Sequence, residues 1–307
     1  MKILVTGGAG FIGSHIVDQL VAAQHEVAIV DSLWSEGGGK RANINPKAAF
    51  YHADITDEAA LARVFDEVKP EIVSHQAGQH SVAISTQNPQ LDARVNVIGL
   101  LNVLTNCTRV GVKKIIFASS GATYGTPVRL PLDEEVPQRP EAPYGITKMV
   151  TEYYLRYWHE SNGLNFTALR YGNVYGPRQD PNGEAGVIAI FAKRFLNRQG
   201  VRIDWDGEQR KDYVYVEDVA RANVLALDHG DNEIFCIGAG NPVSVNEIYE
   251  LLAKITDYKP EITRAAKRPG DIYLSYFTYS KAERILGWKP TMSFEEGVRA
   301  TVAYFKS

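Results

Sequence analysis

Thr6-Gly7-Gly8-Ala9-Gly10-Phe11-Ile12-Gly13 follows the apolar run Ile3-Leu4-Val5 and leads into a helical stretch over Gly13–Ala23. Glycines at 7, 10 and 13, between a short buried strand (Ile3–Thr6) and a helix, permit a tight turn. They also let the backbone approach a pyrophosphate, which rests on the positive helix N-terminus. Spaced glycines alone say little. A strand before them and a helix after them read as a dinucleotide-binding turn.

Working outward, Glu26–Asp31 reads as the next strand, with Asp31 at its end, 18 residues beyond Gly13. A carboxylate there can accept both ribose hydroxyls and would repel a 2′-phosphate, which favours NAD over NADP. Phe50–Ala53, Ile72–His75, Lys114–Ser119 and Phe166–Arg170 are further short apolar runs bounded by turns. Helical stretches near Glu58–Val68 and Leu91–Val110 lie between them. Strands alternating with helices predict an α/β fold, a Rossmann-type doubly wound parallel sheet. Residues 172–186 carry Gly172, Gly176, Pro177, Pro181, Gly183 and Gly186 and read as a loop. Shorter, mixed elements follow. They predict a smaller C-terminal part: 1–171 form the dinucleotide-binding domain, with 214–240 returning to it, and 172–213 with 241–307 form the second unit.

The chain has 307 residues, of which 45% are apolar, so it can bury a sizeable core. A net charge of −3 without a basic stretch points away from nucleic acid. Cys107 and Cys236 make neither a disulfide framework nor a metal site, and no metal is expected. No apolar run approaches membrane-spanning length, and Met1-Lys2 leads straight into the first strand, so a cytoplasmic protein is expected.

Tyr144-Gly145-Ile146-Thr147-Lys148 places a tyrosine and a lysine four apart, on one helix face. An ammonium nearby favours the phenolate, so Tyr144 is expected to ionise well below its ordinary pKa of about 10. Ser120 lies about two dozen residues upstream. A base beside a nicotinamide can take a hydroxyl proton while the hydride leaves. Asp54 can meet an adenine edge or cap the next helix, for which Asp57 is the better candidate.

These residues resemble the extended short-chain dehydrogenase/reductase family, in particular its nucleotide-sugar epimerases. The resemblance runs almost the whole length. It rests on Gly7/Gly10/Gly13, Asp31, Asp54-Ile55, His75-Gln76-Ala77-Gly78 and Asn96. It continues through Ser119-Ser120, Pro143-Tyr144-Gly145 with Lys148, and Arg170 to Arg178. Asp206-Gly207-Glu208-Gln209 with Asp212-Tyr213, and Arg268-Pro269-Gly270-Asp271, complete it.

The resemblance implies roles. Tyr144 is the base, Lys148 lowers its pKa and holds the nicotinamide ribose, and Ser120 hydrogen-bonds the reacting oxygen. Phe11, Ile12, Ser32, Ile55, Gln76, Ala77, Gly78, Gln79, Asn96, Ser119, Tyr171 and Val174 join the glycines, Asp31 and Asp54 around NAD. Asn173, Arg210, Arg268 and Asp271 would hold a sugar nucleotide, with His80, Gly186, Val187 and Ser275 beside it. A small Ser275 would leave room for N-acetyl sugars. The family usually has arginine just before the Asp-Tyr pair. Here Lys211 stands there and Arg210 precedes it, a point charge where arginine would be bidentate.

Ala122-Thr123 occupies the place of the acidic pair used by the family's dehydratases, which disfavours elimination. The implied reaction is reversible C4 inversion of a UDP-hexose, UDP-glucose or UDP-galactose, through a 4-keto sugar with bound NAD. UDP-glucuronate 4-epimerisation is the main alternative. A non-catalytic NAD sensor or scaffold would have lost Ser120, Tyr144 and Lys148. Helices Leu91–Val110 and Tyr144–Asn162, the second carrying Tyr153, Tyr154, Tyr157 and Trp158, match a pair that forms four-helix dimer contacts in related proteins, so a homodimer is expected. An aromatic stripe of that kind is as often core.

Overall fold

The computed structural model describes residues 1–34, 37–182, 186–267 and 271–306. The first strand, β1 (Lys2–Thr6), feeds the glycine turn and helix α1 (Phe11–Ala22). There follow β2 (Glu26–Asp31), β3 (Ala49–His52), α2 (Glu58–Val68) and β4 (Ile72–His75). Next come α3 (Val82–Gln87), α4 (Pro89–Ala93), α5 (Gly99–Val110), β5 (Lys114–Ser120), α6 (Pro143–Asn162) and β6 (Asn165–Tyr171). Local signals set many of these ends. Asp57 caps α2, its side chain accepting from Ala60 N at 3.0 Å, and Gly163 ends α6 in the left-handed region at φ 73°.

The remainder comprises β7 (Asn173–Tyr175), α7 (Val187–Leu196), β8 (Val201–Asp204), β9 (Arg210–Tyr215), α8 (Val216–Leu225) and β10 (Glu233–Ile237). It ends with β11 (Pro242–Ser244), α9 (Val245–Thr256), β12 (Ile262–Ala265), β13 (Leu274–Ser275), α10 (Ser280–Leu286) and α11 (Phe294–Lys306).

Seven strands form one parallel sheet in the order β10-β6-β5-β4-β1-β2-β3. Its strands are nearly continuous apolar runs because both faces are covered by helices. Ile3, Val5, Ile29 and Phe235 pack on one face, and Leu4, Val30, Phe65 and Phe166 on the other. The order reverses between β1 and β4, which opens a crevice beyond the carboxyl ends of these strands. Strand β10 enters this sheet beside β6, far from its neighbours in sequence. A smaller sheet, β11-β9-β13 with β7 on β9, packs with α7, α9 and α11 around Phe195, Ile248 and Val298.

Two elements differ from expectation. Leu91–Val110 is not one regular helix: α4 and α5 are joined by a π-helical turn, Arg94–Ile98, which turns Asn96 into the protein, where it is buried. Asn173–Tyr175, inside the stretch read as a loop, is strand β7. Its partner β9 lies about forty residues on, and no local pattern announces such a pairing.

Candidate functional site

A cavity of about 1120 Å³ lies over the crevice. Its floor is the glycine turn. Gly7 has φ +70°, and a Cβ there would lie 2.6 Å from Ala77 N. A Cβ on Gly13 would lie 2.1 Å from Gly7 O. Only glycines allow this packing, and it keeps the turn shallow. No side chain caps the N-terminus of α1, and no acidic residue occupies its first turn. The positive end of the helix is therefore available to an anion. Asp31 lines the same cavity and is fixed by backbone: Oδ2 accepts from Ala9 N at 3.0 Å and Oδ1 from Leu33 N at 2.8 Å. Burial pushes its carboxyl upward, against the pull of these bonds. This cradle fits a dinucleotide: a bare helix terminus for the pyrophosphate, and a positioned acceptor for ribose hydroxyls.

Most of the residues expected to bind the cofactor line this one cavity. They are Gly7, Gly10, Phe11, Ile12, Gly13, Asp31, Ser32, Asp54, Ile55, Gln76, Ala77, Gly78, Gln79, Ser119, Tyr171 and Val174. Asn96 does not line it. It lies beneath, with Oδ1 accepting from Gln79 N at 2.8 Å and Nδ2 donating to Gln79 O at 3.0 Å. It shapes the loop that carries Gly78 and touches the cavity only through it.

Ser120, Tyr144 and Lys148 converge on the same cavity. Ser120 ends β5, while Tyr144 and Lys148 lie on the first turns of α6. The Ser120 side chain is close enough to Tyr144 to draw its pKa down, and its Oγ accepts from Ala122 N at 3.1 Å. Lys148 Nζ donates to Ala118 O at 2.8 Å and sits 4.8 Å over the Phe117 ring.

The electrostatics reverse one expectation. Tyr144 is pushed up to about 12, chiefly by burial, with the Ser120 side chain lowering it and the Asp92 charge raising it. Lys148 is itself pushed down to about 8 by burial, although Asp92 and Glu152 hold it up. Spacing shows that the two can meet. It does not show that both are removed from water, which penalises both charged forms.

The substrate side divides. His80, Asn173, Gly186 and Ser275 line the cavity. Asn173 Nδ2 donates to Asp212 O at 3.1 Å, which leaves its second amide N–H and its carbonyl oxygen for a ligand. Val187 begins α7 and packs toward the smaller core. Arg210 lies outside: its guanidinium is held by both Glu247 carboxylate oxygens, at 3.0 and 3.1 Å. Lys211 lines the cavity in its stead, 3.5 Å from Asp271. Adjacent residues of a strand face opposite ways, so one register step exchanges the two cations. Arg268 lies outside the described residues.

Sequence reading passed over several lining residues, among them Trp34, Arg94, Gln179 and Phe277. It named Asp212 only as part of a motif and gave it no role; the side chain is a buried carboxylate that accepts from Ala239 N, Gly240 N and Phe277 N at 2.7, 3.1 and 3.0 Å. These bonds tie the loops after β10 and β13 to the cavity wall. The available signal was a carboxylate at the head of the apolar run Tyr213-Val214-Tyr215.

The geometry agrees with the chain's relatives. The sequence model of the NAD dependent epimerase/dehydratase family matches residues 3–238. The UDP-glucose 4-epimerase of Mycolicibacterium smegmatis is 38% identical, covering 100% of this chain and 99% of the relative. The UDP-glucose 4-epimerase of Thermotoga maritima, solved with UDP-glucose, is 50% identical with a TM-score of 0.97, covering 100% of this chain and 99% of its own. That of Thermus thermophilus, solved with NAD, is 44% identical with a TM-score of 0.95 over the same shares. With a match spanning most of its length and a cradle of the matching geometry, this chain belongs to the NAD dependent epimerase/dehydratase family.

Proposed function

We propose that this protein reversibly inverts C4 of a UDP-hexose, interconverting UDP-glucose and UDP-galactose, with NAD held in the glycine cradle. The observation that carries the reading is the meeting of Ser120, Tyr144 and Lys148 with that cradle in one cavity. When bound there, NAD supplies a reversible hydride acceptor whose oxidised ring is cationic.

Tyr144 takes the proton of the sugar 4-hydroxyl and later returns it, with Ser120 hydrogen-bonding the same oxygen. In the bare groove Tyr144, at about 12, keeps its proton. Its work as a base therefore belongs to the loaded site, where added positive charge favours the phenolate. Lys148, at about 8, is largely ammonium at neutral pH and contributes part of that charge. Asn173 and Lys211 hold the diphosphate, so the 4-keto sugar turns about that anchor and presents its other face. Residues 172–213 and 241–307 form this nucleotide-sugar side, and 1–171 with 214–240 the NAD side. The small Ser275 leaves room for an N-acetyl group.

The working unit in this reading is a cytoplasmic homodimer joined through α5 and α6. Tyr153 and Tyr157 stand 63% and 58% exposed on α6, where Ile146 is exposed as well, and Ile98 is exposed at the end of the π-helical turn that leads into α5. Tyr154 and Trp158 instead pack against the core, so half of the aromatic stripe is accounted for within one chain.

The test is incubation with UDP-galactose without added NAD. UDP-glucose should accumulate to equilibrium. If neither it nor any other C4 epimer forms from a panel that includes UDP-GlcNAc and UDP-glucuronate, the reading fails. Tyr144→Phe should abolish turnover while leaving NAD bound, and Ser275→Tyr should lose UDP-GlcNAc turnover before UDP-glucose turnover.

A further inference from the structure

Beneath the catalytic helix lies a carboxylate that no step above uses. Asp92, on α4, is fully buried. Its Oδ1 accepts from Gln79 Nε2 at 2.8 Å and from Asn96 Nδ2 at 3.0 Å, and its Oδ2 accepts from Thr147 Oγ1 at 2.8 Å. Thr147 lies between Tyr144 and Lys148 in sequence, and its hydroxyl also reaches Tyr144 O at 3.0 Å. Gln79 lines the cavity, and Asn96 holds the Gln79 backbone from the π-helical turn. One side chain thus joins the cofactor-side loop, the π turn and the first turn of α6.

We propose that Asp92 is a positioning residue of the epimerase site: its carboxylate clamps the Gln79 loop to the Tyr144–Lys148 turn and places a fixed negative charge behind both. The inference rests on the reading of Tyr144 as the base.

A buried carboxylate costs free energy unless its acceptors are filled, and three donors fill this one. A neutral amide would satisfy the same partners: its oxygen accepts from Gln79 and Asn96, and its NH2 donates to Thr147, whose proton turns to Tyr144 O. Geometry therefore does not require the charge. The titratable groups that feel it are Tyr144 and Lys148, both raised by it. Glu152 also raises Lys148, and the Lys148 charge acts on buried His75; Arg94 follows Asp92 by two residues on the π-helical turn, and His80 is next to Gln79 on the loop before α3. For Lys148 the charge keeps an ammonium that burial opposes. For Tyr144 burial is the main opponent of ionisation, and the Asp92 charge adds to it. The carboxylate thus favours the lysine's proton and delays loss of the tyrosine's.

The test uses Asp92→Asn and Asp92→Ala in the NAD-loaded enzyme, with kcat and KM for UDP-galactose measured from pH 5.5 to 10. Asp92→Asn should keep KM within about twofold and shift the acidic limb of kcat, which reports the base, downward by about half a unit or more. Asp92→Ala, leaving an N–H of Gln79 and one of Asn96 unpaired while the Thr147 hydroxyl turns to Tyr144 O, should lower kcat by about tenfold or more and lose thermal stability. An unshifted profile in Asp92→Asn, with wild-type kcat, overturns the electrostatic role. Wild-type kcat in Asp92→Ala overturns the clamp. Retained epimerisation in Tyr144→Phe, measured alongside, would instead overturn the assignment of the base.

Discussion

Replacing Gly13 by alanine tests the cradle directly. The added Cβ would lie 2.1 Å from Gly7 O, 2.8 Å from Gly7 C and 3.0 Å from Gly8 Cα. Ordinary contact begins near 3.4 Å, so α1 and the turn must part by about 1.3 Å. Neither side yields easily. Gly7 N donates to Val30 O at 2.8 Å, and Gly7 is backed by Ala77 backbone on its other face. Overpacking of this kind costs about 3 kcal/mol, and alanine in a helix returns about 1 kcal/mol. The net loss of about 2 kcal/mol should lower Tm by about 3 °C in a chain of this size. NAD affinity should fall by more than about tenfold, because the N–H groups at the helix end move with the turn. Gly10→Ala is the internal control: its Cβ meets only Gly7 O, at 3.2 Å, which a small adjustment relieves. Calorimetric melting of the NAD-free proteins and NAD titration would measure both terms. A Gly13→Ala protein that melts and binds like wild type, or a Gly10→Ala protein that is the less stable of the two, refutes the steric argument.

Lys148→Met should stabilise the NAD-free protein even as it removes activity. The folded-state value of Lys148 lies near 8 against 10.5 when exposed, so its buried ammonium costs at most about 3 kcal/mol below pH 8. That cost fades as pH rises from 8 toward 10.5, because the unfolded chain still binds the proton that the folded chain has released. The Tm gain should shrink over the same window, and a gain independent of pH would contradict this. Glu152→Gln breaks a buried bidentate pair with Arg170, at 2.9 and 2.6 Å, and should cost about 3 kcal/mol in denaturant unfolding. An unchanged midpoint would mean that the pair is idle. In the proposed homodimer, Tyr157→Lys, at a 58% exposed position, should leave monomer melting intact but release monomers in sedimentation experiments. An unaltered dimer would place the interface elsewhere.

What the sequence disclosed and what it withheld divide along the range of the interactions. The glycine turn, the strand ends at Asp31 and His75, and the Tyr144–Lys148 spacing depend on neighbours within one or two turns of chain, so their pattern is visible in the string. The direction in which Arg210 and Lys211 point is not a local property. It follows from the register of β9 against β11 and β13 and from Glu247, which anchors both the start of α9 and the Arg210 guanidinium. Two adjacent cations look equivalent until that pairing exists. The ionisation of Tyr144 is less local still. Helical spacing brings an ammonium near, and by itself that lowers a phenol's pKa, but the same folding step dehydrates both groups and sets Asp92 behind them. Desolvation is the larger effect for each. The tyrosine of the folded chain is thus a weaker acid than a free one, and in the proposed reading it turns base only once positive charge fills its site.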